Sequence, residues 1–337
     1  MVSVLERVWR TATSSYDAPL AGRIGVGSRN PSRRLKRALS DFGVDESFAK
    51  AAVKVKEHYG FEISVSAVRK ATLESAAKAA QAQGEQGSLD LRLLPAQGAA
   101  TLIAEADGSM VRTVEAGPRQ GLRPRKWEEI RLAAAQVQGE EKSLYAVSFE
   151  SLEDLGARWG HCVKQAGRGL NSVIHCLGDG AEWIERLCRE IFGDQGSYLC
   201  DFYHVSEYLA AAAPTCRPSG IESWRATQHK RLKRGAAEMT IKELAAHLEP
   251  ETTEEEAAPV RCAHRYLSNR RDQLDYHIAL ERELPIGSGL IESGHKHVLQ
   301  ARLKLPGCAW LKSTAANMAQ LRVLRAEADP DLRPRRG

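Results

Sequence analysis

The chain has 337 residues, 43% of them apolar and 27% charged, with a formal net charge of +5. That length suits a catalytic domain with a smaller helical one, and the balance excludes wholesale disorder. No apolar run reaches the ~18 residues of a membrane span, and Glu6, Arg7 and Arg10 break the first apolar stretch, which excludes a secretory signal.

Residues 1–44 read as a basic arm, cut short at its start. Between Gly22 and Ser40 stand Arg23, Arg29, Arg33, Arg34, Lys36 and Arg37, with no acid among them. GRIGVGSRN (22–30) lacks the Gly-Lys-Ser/Thr ending of a phosphate loop. Residues 45–88 form a helix-turn-helix-like region and its linker. In DESFAKAAVKVKEHYG, Phe48, Ala52, Val55 and Tyr59 recur at helical steps and Gly60 is placed to end the helix. Ser64 then stands where a second helix would be capped. Its Val65, Val68 and Thr72 are expected inside, with Ser66, Arg69 and Lys70 outside. Arg69 and Lys70 could enter a DNA groove, although a plain helical hairpin has the same pattern.

After the polar linker QAQGEQGS (81–88) the pattern changes to strands followed by helices, and residues 89–326 read as one α/β catalytic domain. AATLIAEADG (99–108) predicts a strand that turns at Asp107-Gly108, with SMVRTVEAG as its hairpin partner. KSLYAVSFES (142–151) predicts another strand and ESLEDLGARWGHCVKQA (150–166) a helix. NSVIHCLGDG (171–180) predicts a strand ending at Asp179-Gly180, followed by the helix AEWIERLCREIFG. SYLCDFYHV (197–205) predicts a strand carrying Asp201, and residues 210–283 read as a helical insertion. The last segment, 327–337, is a basic tail with Arg333, Arg335 and Arg336.

The chemistry-bearing candidates are acids. Asp107 and Asp179 share a strand–Asp-Gly setting, and Glu292 follows the Pro285 turn in LPIGSGLIESGHKH (284–297). Clustered carboxylates repel one another unless cations neutralise them, and oxygen ligands of this kind suit Mg²⁺. Asp-Gly is equally an ordinary turn dipeptide, so either pair alone has a structural reading too. No GxSxG elbow or HExxH is present, and none of the seven cysteines forms a CxxC pair, which excludes acyl-transfer and zinc motifs and fits a reducing cytoplasm. Basic residues are segregated: WRATQHKRLKR (224–234) carries five, while acids gather in ETTEEE (251–256). Such segregation suits a phosphate-binding face, and also an ordinary solvated one.

ADGS (106–109), GDGAEWI (178–184), DFYHVSEYL (201–209) and LPIGSGLIESGHKHVLQARLKLPGCAW (284–310) together resemble the DDE transposases of ISKra-type bacterial insertion sequences, within the Mutator-like group. The resemblance runs from about Ser47 to Leu324. It implies an RNase H-like catalytic core with an α-helical insertion and a helix-turn-helix-like region ahead of it. Asp107, Asp179 and Glu292 would be the catalytic acids, holding two Mg²⁺ (or Mn²⁺) ions. Asp201 and His204 match an accessory Asp-x-x-His signature. Arg69, Lys70, Arg225, Lys230, Arg231, Lys296, Arg302 and Lys304 would contact DNA, with Trp224 available to stack on a base. The implied partners are terminal inverted repeats and target DNA, bound by a homo-oligomer in the bacterial cytoplasm at the nucleoid, with no membrane. A non-catalytic DNA-binding remnant of such an element is the alternative.

Overall fold

The computed structural model describes residues 31–86, 94–115 and 124–328, together with a short antiparallel pair, Trp9–Arg10 with Tyr16–Asp17. Most of the basic arm, the end of the linker and the tail lie outside the described residues, and the linker expected over 81–88 is corrected, since its residues 81–86 continue the helix Val65–Gln86.

A mixed six-stranded sheet organises the chain. Its strands are β1 (Thr101–Val114), β2 (Arg125–Val137), β3 (Ser143–Ser148), β4 (Val173–Gly178) and β5 (Gly196–Cys200), in the order β3-β2-β1-β4-β5. β1, β2 and β3 form an antiparallel meander, while β4 and β5 run parallel to β1. A two-residue β6 (Trp310–Leu311) joins the far end of β1, with Thr113 opposite Trp310.

Two expectations are corrected here. Asp107-Gly108 is not a turn: β1 runs straight through it, with Asp107 opposite Leu132 and Gly108 opposite Arg131. The partner of β1 is therefore not SMVRTVEAG, which belongs to β1 itself, but β2. The segment RKWEEIRLAAAQV has a helix-favouring composition of Glu, Leu and Ala. It is a strand because Ile130, Leu132, Ala133, Ala134 and Ala135 are all fully buried. A strand covered on both faces needs a continuous apolar run, and small alanines serve as well as valines there.

One face of the sheet is covered by α4 (Leu152–Gln165) and α5 (Glu182–Phe192), whose Leu155, Trp159, Ile184 and Leu187 pack on Leu102, Ala104, Ala106 and Cys176. The opposite face carries Ile103, Val111, Leu132, Tyr145 and Leu177. The insertion helices α6 (Phe202–Cys216), α7 (Ile221–Leu232), α8 (Ala237–Ala245), α9 (Pro259–Asn269) and α10 (Tyr276–Glu281) share the core on that side. They are followed by α11 (Gly289–Gly294), a π-helical turn (His295–Gln300), α12 (Ala301–Leu303) and α13 (Lys312–Ala328). The insertion begins earlier than 210, and the preceding strand stops at Cys200. The carboxylate of Asp201 accepts the N–H groups of Tyr203 and His204 and so starts a helix at once.

The N-terminal region is a three-helix unit. α1 (Arg33–Asp45) lies within the stretch read as an arm, capped by Ser32, which accepts the Leu35 N–H at 3.2 Å. α2 (Phe48–Tyr59) ends at Gly60, whose φ of 72° is the left-handed stop expected there. α3 (Val65–Gln86) buries Val68 and Thr72 and exposes Ser66, Arg69 and Lys70, as the periodicity predicts, but Val65 also faces solvent. The unit is fastened to the sheet domain. Arg322 of α13, fully buried, donates to Asp45 and to the carbonyls of Val44, His297 and Val298. Among the described residues no helix is long and apolar enough to cross a membrane.

The edge strand β3 is sealed by α13, where Glu327 Oε1 accepts the Tyr145 N–H at 3.0 Å. Burial raises the pKa of Glu327 above the ordinary carboxylate value. A raised folded-state pKa means that its contribution is complete below the unfolded value near 4.5 and declines as pH rises toward the folded one. The Tm of the wild type should therefore fall over that range more than that of Glu327→Gln, measured by thermal melts from pH 4 upward. Parallel pH profiles for the two proteins would refute this.

Candidate active site

Glu105 pairs with Leu177 across β1 and β4, and Gly178 with Cys200 across β4 and β5, and there the two parallel ladders end. Asp179 and Asp201 directly follow the last residues of β4 and β5, and Asp107 lies two residues beyond Glu105 on β1. Glu105 and Asp107 lie two apart on β1 and share a face, the face also covered by α11.

Asp107 is partly exposed. Its Oδ1 accepts the Gly108 N–H at 2.7 Å, and its Oδ2 lies 3.1 Å from Nε2 of the buried His295, outside hydrogen-bond alignment. Asp179 sits on a turn that needs glycine next to it. Gly180 has φ of 85°, and a Cβ there would meet Arg270 Nε at 2.3 Å and the Tyr266 hydroxyl at 2.7 Å. These two α9 side chains hold the turn. Arg270 donates to the Gly180 carbonyl at 2.6 and 2.8 Å, and the Tyr266 hydroxyl to the Asp179 carbonyl at 2.6 Å. The Asp179 carboxylate is partly exposed and accepts the Ala181 N–H at 2.9 Å, an Asx turn just ahead of α5.

Glu292 is exposed on α11, and the approach to that helix is tied down at several points. Asp201 Oδ2 accepts both the N–H and the hydroxyl of Ser288, while its Oδ1 accepts the N–H groups of Tyr203 and His204. Phe202 N–H donates to the Ile286 carbonyl at 2.8 Å, and His175 Nε2 lies 2.8 Å from the Pro285 carbonyl. Ile291 N–H donates to Glu105 Oε2 at 2.7 Å. Gly287 and Gly294 allow the close fit, since a Cβ on either would strike the ring of Tyr203 at 2.5 Å or of Tyr145 at 2.7 Å.

Both oxygens of the buried Asp201 are thus committed to backbone and hydroxyl donors, so this acid clasps the fold together. His204 shares only its backbone N–H with Asp201; its ring lies edge-on to Tyr208 and Tyr266 and 3.5 Å from Glu207. Two neighbours were not singled out from the sequence. Glu105 is fully buried, and burial, with Asp201 and Glu292 adding repulsion, pushes its pKa up to about 8, so it is largely protonated at neutral pH. His295 follows Glu292 by three residues. The signals were present: a strand places i and i+2 on one face, and a helix does so for i and i+3.

Among the predicted DNA contacts, Lys304 donates to Ser109 Oγ at 2.7 Å, and Asp107 is close enough to oppose the lowering of its pKa by burial. Lys296, Arg69, Lys70 and Lys230 are exposed. Arg225 pairs with Glu222, and Arg231 with Glu243. Arg302 is corrected: it is 1% exposed, its Nε donates to the Gly43 carbonyl, and it does not lie on the surface beside Glu292. Trp224 is likewise a core residue, with its indole N–H on Glu243, so it offers no stacking face.

Among the described residues, no three His, Cys, Asp or Glu side chains come together as a cation cage. Asp107, Asp179 and Glu292 nevertheless supply hard oxygen donors, and none of the three is buried. Compared with known proteins, the chain matches no protein-family model and no curated protein.

The geometry separates Asp201 from Asp179 by experiment. Asp201→Ala strands buried donors and should cost about 2–4 kcal/mol of unfolding free energy, whereas Asp179→Ala removes a single partly exposed turn hydrogen bond and should cost about 1 kcal/mol. Urea denaturation measures both. Equal losses would contradict the clasp.

Proposed function

We propose that the chain is a DDE-type DNA transposase with an RNase H-like core, acting at insertion-sequence ends in the bacterial cytoplasm. The observation that carries the reading is the placing of the three acids: Asp107 on β1 two residues beyond its last pairing with β4, Asp179 directly after β4, and Glu292 on α11, whose Ile291 N–H is held by Glu105 of β1. Supporting it is the sheet order, an antiparallel meander whose first strand is central and continues into two parallel strands by helical crossovers. Ligands of open α/β sheets favour the carboxyl ends of such strands, where Asp179 stands.

Asp107, Asp179 and Glu292 would hold divalent ions of the Mg²⁺ class. Those ions, when bound, would supply the positive charge that activates a water or a DNA 3′-hydroxyl and offsets the leaving oxygen. The chain's own residues do the positioning. Arg270 and Tyr266 fix the Asp179 turn, Asp201 and Glu105 fix the α11 approach, and His295 stands behind Asp107. Lys304, beside Asp107, is placed to meet a phosphate near the acids, and Lys296 extends that basic edge. Glu105, largely neutral at pH 7, adds little negative charge to the centre and serves as a tether. Arg69 and Lys70 on α3, with Lys230 on α7, provide outward cations for duplex backbone, and assembly as a homo-oligomer on DNA belongs to the same reading.

A second reading, a DNA-binding protein of the element that does not cut, draws on the outward cations Arg69, Lys70 and Lys230 alone. The two readings part on chemistry. Purified protein should cleave and join element-end DNA with Mg²⁺ or Mn²⁺. Asp107→Ala, Asp179→Ala and Glu292→Ala should each lose at least about a hundredfold in cleavage rate while retaining gel-shift affinity. Full cleavage by any of them ends the role of that residue, and binding without any cutting by the wild type favours the second reading.

A further inference from the structure

The junction between the N-terminal helices and the sheet domain encloses a cavity of about 350 Å³, far from the acids. Its core is Arg302. The guanidinium lies 4.5 Å from the Phe48 ring centroid and 4.8 Å from that of Trp310, two rings that meet edge to face. Its Nε is satisfied by the Gly43 carbonyl at 3.0 Å, but its buried NH2 nitrogen has no hydrogen-bond partner. A buried guanidinium remains charged, and leaving one of its donors unmatched is costly.

No carboxylate neutralises it among the described residues. Its foremost partner is the Cys308 thiol, a weak acid, while of the carboxylates Glu46 is bound to Lys54 at 2.6 Å and Asp45 is taken by Arg322 and Arg325. The other polar groups lining the cavity extend the same character: Arg69 on the outward side of α3, with the hydroxyls of Ser47 and Thr314. The site therefore offers two guanidinium groups and two hydroxyls between aromatic walls, with no acid among its lining residues.

We propose that this cavity is a phosphate-binding pocket, in which Arg302 receives an oxyanion in the plane of its guanidinium and Arg69 closes over it from the mouth. Planar forks bind phosphate oxygens with defined geometry, and desolvation strengthens each charge-assisted bond. The phosphate site stands on its own geometry, while DNA as the source of the phosphate rests on the function proposed above. Val114 lines the pocket at the end of β1, seven residues beyond Asp107, which is roughly 23 Å of strand. A backbone phosphate seated there lies about six or seven base-pair steps from the catalytic acids. The pocket would thus hold duplex flanking the cut and set its register.

Cys308, half-buried and free, also lines the pocket and supplies a reporter, and Cys262 on α9 a reference. The full-length protein is alkylated with iodoacetamide and the two sites are followed by peptide mass. Inorganic phosphate should slow modification of Cys308 several-fold and leave Cys262 unchanged. Element-end duplex should do the same, and both effects should be lost in Arg69→Ala, an exposed substitution that spares the core. Arg302→Lys keeps the charge but removes the planar fork, and should lose protection while retaining most gel-shift affinity. Unchanged Cys308 reactivity with both phosphate and duplex would overturn the pocket. Protection by phosphate alone assigns the pocket to a free phosphate compound and overturns DNA as its source. Asp107→Ala should keep the protection, so a wild type that is protected but never cuts DNA defeats the proposed function and leaves the pocket standing.

Discussion

A single buried carboxylate, that of Asp201, accepts four hydrogen bonds from two parts of the chain. Two come from the first turn of α6 and two from Ser288, in the turn that leads into α11. The side chain itself stands at the end of β5. A strand end, a helix start and a distant turn are thereby held at one point, and α11 is positioned from that point. The glycine at 287 lets the turn lie against Tyr203, and the Ile291 N–H completes the attachment through Glu105. A carboxylate with all its capacity used in this way is a poor candidate for binding an ion. Its value is that it makes the place of Glu292 depend on the sheet and not on the surrounding loop.

The helical insertion serves the same end from the other side. Tyr266 stacks on Tyr208 with centroids 4.1 Å apart, and Arg270 lies 4.1 Å over Tyr266. That block of α6 and α9 carries the donors that hold the Asp179-Gly180 carbonyls. Two cations of the basic run are spent inside the insertion, Arg225 on Glu222 and Arg231 on Glu243, which it shares with Trp224. A cluster that looks like a DNA-binding stripe in one dimension is therefore partly a set of internal ties. The N-terminal helices are held by the same kind of device, with buried Arg322 and Arg302 donating to the carbonyls at the end of α1. Guanidinium groups act here as long-reach donors for helix ends.

Local signals determined a good deal of this protein. The helix of residues 152–165, the strand running to Asp179, the glycine that makes its turn, and the Pro285–Gly289 approach to Glu292 all follow from nearest neighbours: capping serines, periodicity and φ freedom. Three features could not be read that way, because their cause lies far along the chain. RKWEEIRLAAAQV prefers a helix until β1 and β3 flank it and two layers cover it. Asp107-Gly108 would turn if isolated, but thirteen residues of β2 pair along β1 and keep it extended. Arg302 looks like a solvated cation on a helix until Phe48, Gly43 and Trp310, brought from both ends of the chain, enclose it. The sequence alone established which acids were available and which local turns would present them. Tertiary structure decided which acid stays open to solvent and which is a clasp, because that depends on burial and on donors supplied by distant segments.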